Sequence, residues 1–338
     1  MERRTIHFVG PRRIELRGEP VVAPGADQVL VQTQLSAVSA GTEMLLFRGE
    51  IPEAADSEAD TISRGLSYPT TYGYCAVGQV VQAGSSIERG WLGREVFAFQ
   101  PHSSHFAVTP SALVQVPDGM TAEAAVFLPS AETAVNLVQD AAPILGERVL
   151  VLGQGVVGLL SAALLHEFPL ECLVTADRYA GRRQASERLG VTAALDPADP
   201  DFKEKALSHT GSGFTGYDAV VELTGNPSAL DDAIALTTFS GRVVVGSWFG
   251  SKKASLDLGG RYHRSRIRIV ASQVSTIAPE LGGRWDKQRR FAVAWEAIKR
   301  IGPRRWITHR FPIERAADAY RLLDESPEAS IQIVLEYR

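Results

Sequence analysis

Residues 148–165 read RVLVLGQGVVGLLSAALL. The apolar run Arg148–Leu152 ends in three glycines spread over six residues, and an apolar stretch long enough for a helix follows. Gly153-Gln154-Gly155-Val156-Val157-Gly158 is thus a G-x-G-x-x-G between strand and helix. In that setting each glycine has a task. Gly153 permits the tight turn, Gly155 lets backbone approach a pyrophosphate, and Gly158 lets the helix pack on the strand. The helix start adds unpaired N–H groups and a dipole that favours phosphate. A dinucleotide site over Gly153–Gly158 is therefore expected.

Such a site wants a carboxylate about 20 residues on, at the end of the next strand. LECLVTAD ends in Asp177, 19 residues after Gly158. Its carboxylate can accept ribose hydroxyls and opposes a 2′-phosphate, which favours NAD. Arg178, Arg182 and Arg183 follow directly, and an arginine beside the ribose is how such folds hold NADP. NAD is the preferred reading and NADP stays open.

Outward from this stretch the chain alternates. Helices are expected at 156–167 and 181–189, and strands at 172–176, near 219–222, 242–246 and 267–271. Nearly continuous apolar strands alternating with helices indicate an α/β fold with a doubly wound parallel sheet. Residues 1–115 read instead as β-rich, with short strands at 5–8, 28–35, 78–82, 94–99 and 105–108 between Gly/Pro turns. Thr121 is a plausible N-cap for a helical stretch to Asp140. After Ser275 come helices at 291–301 and 313–323 and a last strand at 331–336. Two domains are expected: 1–122, completed by 276–338, and a dinucleotide-binding domain over 123–275. The acidic, aperiodic segment 50–67 reads as a surface loop or as a lid over a pocket.

Composition removes other classes. Of 338 residues, 45% are hydrophobic and 22% charged, a profile for a folded rather than a disordered chain. The net charge of −4 does not suggest a nucleic-acid partner. Two cysteines, Cys75 and Cys172, cannot build a disulfide framework or a Cys-rich zinc module. The first residues, MERRTIHFVGPRRIEL, lack a signal-peptide core, and 149–165 carries Gln154 and three glycines, so no membrane partner is expected. A cytoplasmic protein is the expectation. Residues 261–310 hold 13 Lys/Arg against 3 acids, either an anion-binding face or solvated helix surfaces.

Several landmarks share one arrangement: Pro69-x-x-x-Gly73 with Ala76-Val77-Gly78, Gly93-Arg94-x-Val96-Phe97, Val221-Glu222-x-Thr224-Gly225, Ile307-Thr308-His309 and Ala317-x-x-Tyr320. With the glycine loop they make the chain resemble the medium-chain dehydrogenase/reductase family over nearly its whole length. SAVSAGTEMLLFRG and YPTTYGYCAVG look closest to a zinc-less branch that includes bacteriochlorophyllide a dehydrogenase. The resemblance implies a GroES-like catalytic domain before the Rossmann domain. It also implies a homodimer, to which the apolar edge near 267–271 adds a reason of its own.

The same resemblance bears on chemistry. Where zinc-dependent members carry three ligands this chain has Ala40, Tyr74 and Pro129, so no catalytic zinc is expected. A different metal site from His102, His105 and Cys75 is conceivable but not needed. Thr42 matches the Ser/Thr that hydrogen-bonds the reacting oxygen, and Tyr74 stands at a lost ligand position. The plainer alternatives are a loop hydroxyl and a filler for the vacated space. Glu43 is expected as a structural partner deeper in the domain. Carried-over cofactor contacts are Thr133 at the nicotinamide face, Thr224 and Gly225, and Ser247. Trp248 and Phe249 could wall a pocket, and Gln332 replaces an arginine that would contact pyrophosphate. Hydride transfer between NAD(P) and a secondary alcohol or ketone of a small-molecule substrate, possibly a bulky ring, is the leading expectation. Reduction of an activated C=C bond is the alternative enzyme, and a nucleotide-binding protein without turnover the non-enzyme one.

Overall fold

In the computed structural model, residues 2–52, 66–211 and 215–338 are described. Most of the expected loop or lid at 50–67 lies outside them. In chain order the first elements are β1 (Glu2–Gly10), β2 (Arg13–Pro20), β3 (Val29–Val38), α1 (Thr42–Arg48) and β4 (Thr70–Thr71). Then come β5 (Ala76–Ala83), β6 (Glu95–Ala98), β7 (His105–Val108), β8 (Leu113–Gln115), α2 (Ala122–Ala125) and α3 (Leu128–Ala141). The alternating region is β9 (Arg148–Leu152), α4 (Val156–His166), β10 (Cys172–Ala176), α5 (Ala180–Glu187), β11 (Ala193–Leu195), α6 (Phe202–Ser208), β12 (Tyr217–Glu222), α7 (Ala229–Leu236), β13 (Thr237–Val245) and β14 (Arg268–Ala271). The chain closes with α8 (Lys287–Ile301), β15 (Ile307–Pro312), α9 (Ala316–Glu325) and β16 (Gln332–Glu336).

Two compact units result. One holds the chain up to Pro129 together with Ile298–Arg338, and the other holds Ser130–Ala297. In the first, a sheet of order β15-β16-β3-β5-β6-β8 carries β7 on β3, and a small sheet runs β2-β1-β4. All its pairings are antiparallel except β15 with β16. The returning C-terminal segment supplies half of one core. Ile313, Tyr320, Leu323, Ile333 and Leu335 pack with Ile6, Phe8, Met44, Leu46 and Phe47. The Tyr320 ring meets Phe8 edge-on and Phe47 stacked, both at 5.4 Å between centroids. Each such fully buried side chain contributes roughly 1.5–3 kcal/mol of apolar burial.

The second unit is a six-stranded sheet of order β11-β10-β9-β12-β13-β14, parallel throughout. Every residue of β9 and β10 is buried, as a parallel sheet covered on both faces requires. The order reverses between β9 and β12. Ligands of such sheets lie beyond the carboxyl ends of the strands at that switch.

One expected element divides. The helical stretch 121–140 is a short α2, capped by Thr121 accepting from the Ala124 amide at 3.3 Å, and a separate α3. Pro129 explains the break: it lacks an N–H and sits in the first turn of α3, where a helix tolerates it. The hairpin partner β2 and helices α1, α6 and α7 had no clear periodic signal. Among the described residues no helix is long and apolar enough to cross a membrane.

Candidate functional site

The glycine loop links β9 to α4, and its three glycines differ in what they do. Gly153 has φ +92°, and a Cβ there would stand 2.6 Å from the Leu223 carbonyl oxygen. Gly158 packs so tightly that a Cβ would overlap the Gly153 carbonyl oxygen. These two glycines serve the fold. Gly155 has ordinary backbone angles as the N-cap of α4, and a Cβ there would meet nothing nearer than the Arg182 guanidinium at 4.0 Å. Space is therefore left in front of the first amides of α4. Val156 and Val157, the first two residues of that helix, are half-buried. The loop fits the pyrophosphate of a dinucleotide.

Asp177 follows β10 and is 6% exposed. Its Oδ2 accepts the Gln154 amide at 2.7 Å, and its Oδ1 accepts the Tyr179 amide at 2.8 Å. The expected ribose carboxylate is thus also the brace of the glycine loop. Gln154 is fully buried, with its side-chain amide donating to the Gly153 carbonyl at 3.0 Å. The arginines divide their tasks. Arg178 is exposed and its guanidinium lies 5.5 Å from the Tyr179 ring. Arg183 bonds the Asp177 carbonyl and pairs with Asp196, both at 2.8 Å. Arg182 lies 4.8 Å from the Tyr179 ring and 3.9 Å from Asp177 Oδ2. It is the arginine nearest the open face of the loop.

The ends of β12 and β13 meet beside this loop. Gly225, at φ +69°, donates its amide to Ser247 Oγ at 2.9 Å. The Thr224 hydroxyl donates to Glu222 Oε1 at 2.5 Å, and the Thr224 amide donates to the same oxygen at 2.7 Å. Burial raises the Glu222 carboxyl above its ordinary range. The structure therefore brings Thr224, Gly225 and Ser247 together around Glu222, a residue read from sequence only as part of a landmark. Thr133 is half-buried on α3 of the same unit, while Trp248 and Phe249 are half-buried after β13.

In the first unit, Thr42 opens α1 and Tyr74 precedes β5. The Tyr74 hydroxyl donates to Ser39 Oγ at 2.5 Å, and Ser39 Oγ also accepts the Thr42 amide at 3.3 Å. Burial, with the nearby charge of Glu43, pushes the Tyr74 phenol up to about 12, while hydrogen bonds to Ser39 and Thr42 pull the other way. Tyr74 is therefore a neutral phenol at physiological pH. Ser39 was missed in the sequence because a lone serine in a loop carries no pattern.

Beneath this cluster sits Glu43, with no exposed surface. It accepts the Ser39 amide at 3.0 Å and the Tyr320 hydroxyl at 2.5 Å, and His102 Nε2 lies 2.9 Å from its Oε2. His102 Nδ1 reaches Ser36 Oγ at 2.7 Å, which meets the Tyr337 hydroxyl at 2.8 Å. A buried carboxyl without such partners would be costly, so the network is satisfied by residues from β3, α1, α9 and the C-terminus.

The zinc-ligand positions can be tested against their donors. Ala40 and Pro129 offer no side-chain ligand, and the Tyr74 phenol is held on Ser39. This donor set does not fit a catalytic zinc. Cys75 donates to the Val126 carbonyl at 3.0 Å, and His105 Nδ1 meets Ser104 Oγ at 3.0 Å. Each therefore has a partner apart from His102. The Gln332 amide is buried, donating to the carbonyls of Val38 at 2.9 Å and Ile333 at 2.8 Å. It acts within β16.

Three outcomes follow from this geometry. Gly155→Ala should leave urea unfolding unchanged and weaken dinucleotide binding, whereas Gly158→Ala should destabilise the protein by about 1–3 kcal/mol through overpacking. Equal stability loss in both variants would contradict the division of roles. Asp177→Ser should raise the NADP(H)/NAD(H) ratio of kcat/KM and also lower stability, since it removes the Gln154 brace. Spectrophotometric titration should show no Tyr74 ionisation below about pH 11, by difference from Tyr74→Phe.

Residues 156–286 match the family described as zinc-binding dehydrogenase. The D-guloside 3-dehydrogenase of Escherichia coli is 24% identical over 325 residues, covering 91% of this chain and 92% of that protein. The 2-desacetyl-2-hydroxyethyl bacteriochlorophyllide A dehydrogenase of Cereibacter sphaeroides is 25% identical over 352 residues, covering 97% and 96%. An Escherichia coli protein described as a short chain alcohol dehydrogenase, solved with NADH, superposes with a TM-score of 0.79 at 18% identity, covering 99% of each chain. The matched segment lies within the second unit, and the chain shares its overall fold with that solved dehydrogenase.

Proposed function

We propose that the protein is an NAD(P)-dependent oxidoreductase of a secondary alcohol or ketone that works without a catalytic zinc. The observation that carries this reading is the Ser39–Thr42–Tyr74 hydroxyl cluster, standing where the expected ligand positions hold Ala40 and Tyr74. The relatives named for D-guloside and for a bacteriochlorophyllide support an alcohol substrate, and the second supports a bulky ring. NAD is the preferred cofactor because Asp177 opposes a 2′-phosphate. Arg182, on the open side of the loop, is the residue through which NADP would be tolerated. A homodimer is part of the same reading, supported by the partly exposed apolar residues of the edge strand β14.

A bound nicotinamide supplies the hydride acceptor or donor; the rest falls to the chain. When a ketone is reduced, negative charge develops on its oxygen as carbon gains the hydride, and one proton must then reach that oxygen. Zinc would stabilise this charge as a Lewis acid. Here the donors are hydroxyls. Thr42 Oγ1, at the half-exposed start of α1, is the group assigned to the reacting oxygen. Tyr74 Oη holds its proton at neutral pH because its ionised form is disfavoured by burial and by Glu43. Ser39 Oγ fixes where that phenol points. In alcohol oxidation each hydroxyl takes the departing proton only as it gives up its own, so the proton is relayed on to solvent water and no hydroxyl keeps a net charge.

Thr42→Val keeps the shape and removes the hydroxyl, so kcat should fall about 10²–10³-fold, the usual cost of one preorganised donor. Cofactor affinity should barely move, because the glycine loop belongs to the other unit. Tyr74→Phe should show a similar loss if its phenol is a second donor, and a change under about threefold would mark it as filler. Intact turnover in Thr42→Val would transfer the assignment to conjugated-alkene reduction, whose charge spreads over the enolate. Elemental analysis of active protein should find well under one zinc per chain, with activity kept in chelator; about one per chain would contradict the donor set.

A further inference from the structure

In the second unit the glycine loop follows β9 and Asp177 follows β10. With the adenosine half toward β10, the other half of a dinucleotide must lie toward the carboxyl ends of β12, β13 and β14. The segment 272–276, which leaves β14, borders that end. It belongs to no helix or strand.

Arg290 on α8 has no exposed surface. Its Nε and Nη2 donate to Glu132 Oε1 at 3.0 and 2.8 Å. Its Nη1 donates to Asn136 Oδ1 at 2.6 Å and to the Thr276 carbonyl at 3.0 Å, and Nη2 also reaches the Val274 carbonyl. The whole guanidinium fork is thereby used. Asn136 adds a bond to Ser272 Oγ at 2.9 Å. Lys287 Nζ bonds Glu132 Oε1 at 2.5 Å and the Val274 carbonyl at 3.0 Å, but that side chain is 41% exposed. The buried arginine therefore joins the turn of α3 that carries Thr133 to the segment after β14.

Stability alone does not account for this arrangement. Apolar side chains of equal volume would often hold two helices as well as a buried ion pair does. They could not bind the carbonyls of Val274 and Thr276 and so fix a segment that has no ladder of its own. We propose that Arg290, acting through Glu132 and Asn136, is a positioning residue for the nicotinamide end of the cofactor site. It sets the segment 272–276 against Thr133. The proposal rests on the dinucleotide reading above.

The test separates the two halves of the cofactor. ADP-ribose and NADH are titrated into the unaltered protein, Arg290→Lys and Asn136→Ala by calorimetry, with circular dichroism confirming the fold. Arg290→Lys keeps the charge and loses the fork; Asn136→Ala leaves no charge unpaired and serves if the first variant does not fold. ADP-ribose affinity should stay within about twofold while NADH affinity weakens about tenfold or more. The fluorescence shift of bound NADH should shrink in parallel, and kcat should drop about 10²-fold from misplacement. Equal weakening of both ligands, or of neither, would overturn the positioning role. Failure of the unaltered protein to bind ADP-ribose would overturn the dinucleotide reading, and this proposal with it.

Discussion

The hydrogen bond from the Gln154 amide to Asp177 is the point on which the second unit turns. It ties the loop after β9 to the end of β10, and the contact of Gly158 with Gly153 seats α4 against the same loop. A helix held this close to its strand presents its first amides in a fixed direction. The open position at Gly155 is the space that the proposed pyrophosphate would occupy. Both oxygens of Asp177 hold backbone amides, so if the carboxylate also takes the ribose, as proposed, cofactor preference and stability are coupled.

The first unit faces a different constraint. It buries Glu43 and His102 completely, and such groups are tolerated only when fully partnered. The partners come from distant parts of the chain: Ser36 on β3, Tyr320 on α9 and Tyr337 at the C-terminus. The returning segment therefore completes a polar network as well as an apolar core. Above it, Ser39 links the buried layer to Thr42 and to the buried phenol of Tyr74 through its amide and its side chain. The proposed chemistry without a Lewis acid needs donors held in place, and this layering is what would hold them.

The second unit uses buried arginines to fix backbone as well as to join side chains. Arg148 bonds Asp218 and the Thr210 carbonyl, and Arg242 bonds Glu147 and the Ala142 carbonyl. Arg290 does the same for the segment after β14. A planar fork with five donors suits this use, since one side chain can satisfy a carboxylate and loop carbonyls together.

What the sequence determined by itself was whatever depends on neighbours along the chain. The glycine spacing at 153–158, the strand ends at Leu152 and Ala176, Asp177, and the switch from short β-segments to strand–helix alternation all follow from local sterics and period. The Thr121 cap was legible for the same reason, and the break at Pro129 would have been, had its missing N–H been weighed. Tertiary structure decided the rest. Ser39, His102 and Tyr320 lie far apart in sequence and meet only after β3, the segment before β7, and α9 have packed. Arg290 read as one more cation in a basic stretch until α8 laid it across Glu132. Charge and hydroxyl groups have no period that announces a partner; only the packed sheet and its helices choose which of them are buried together.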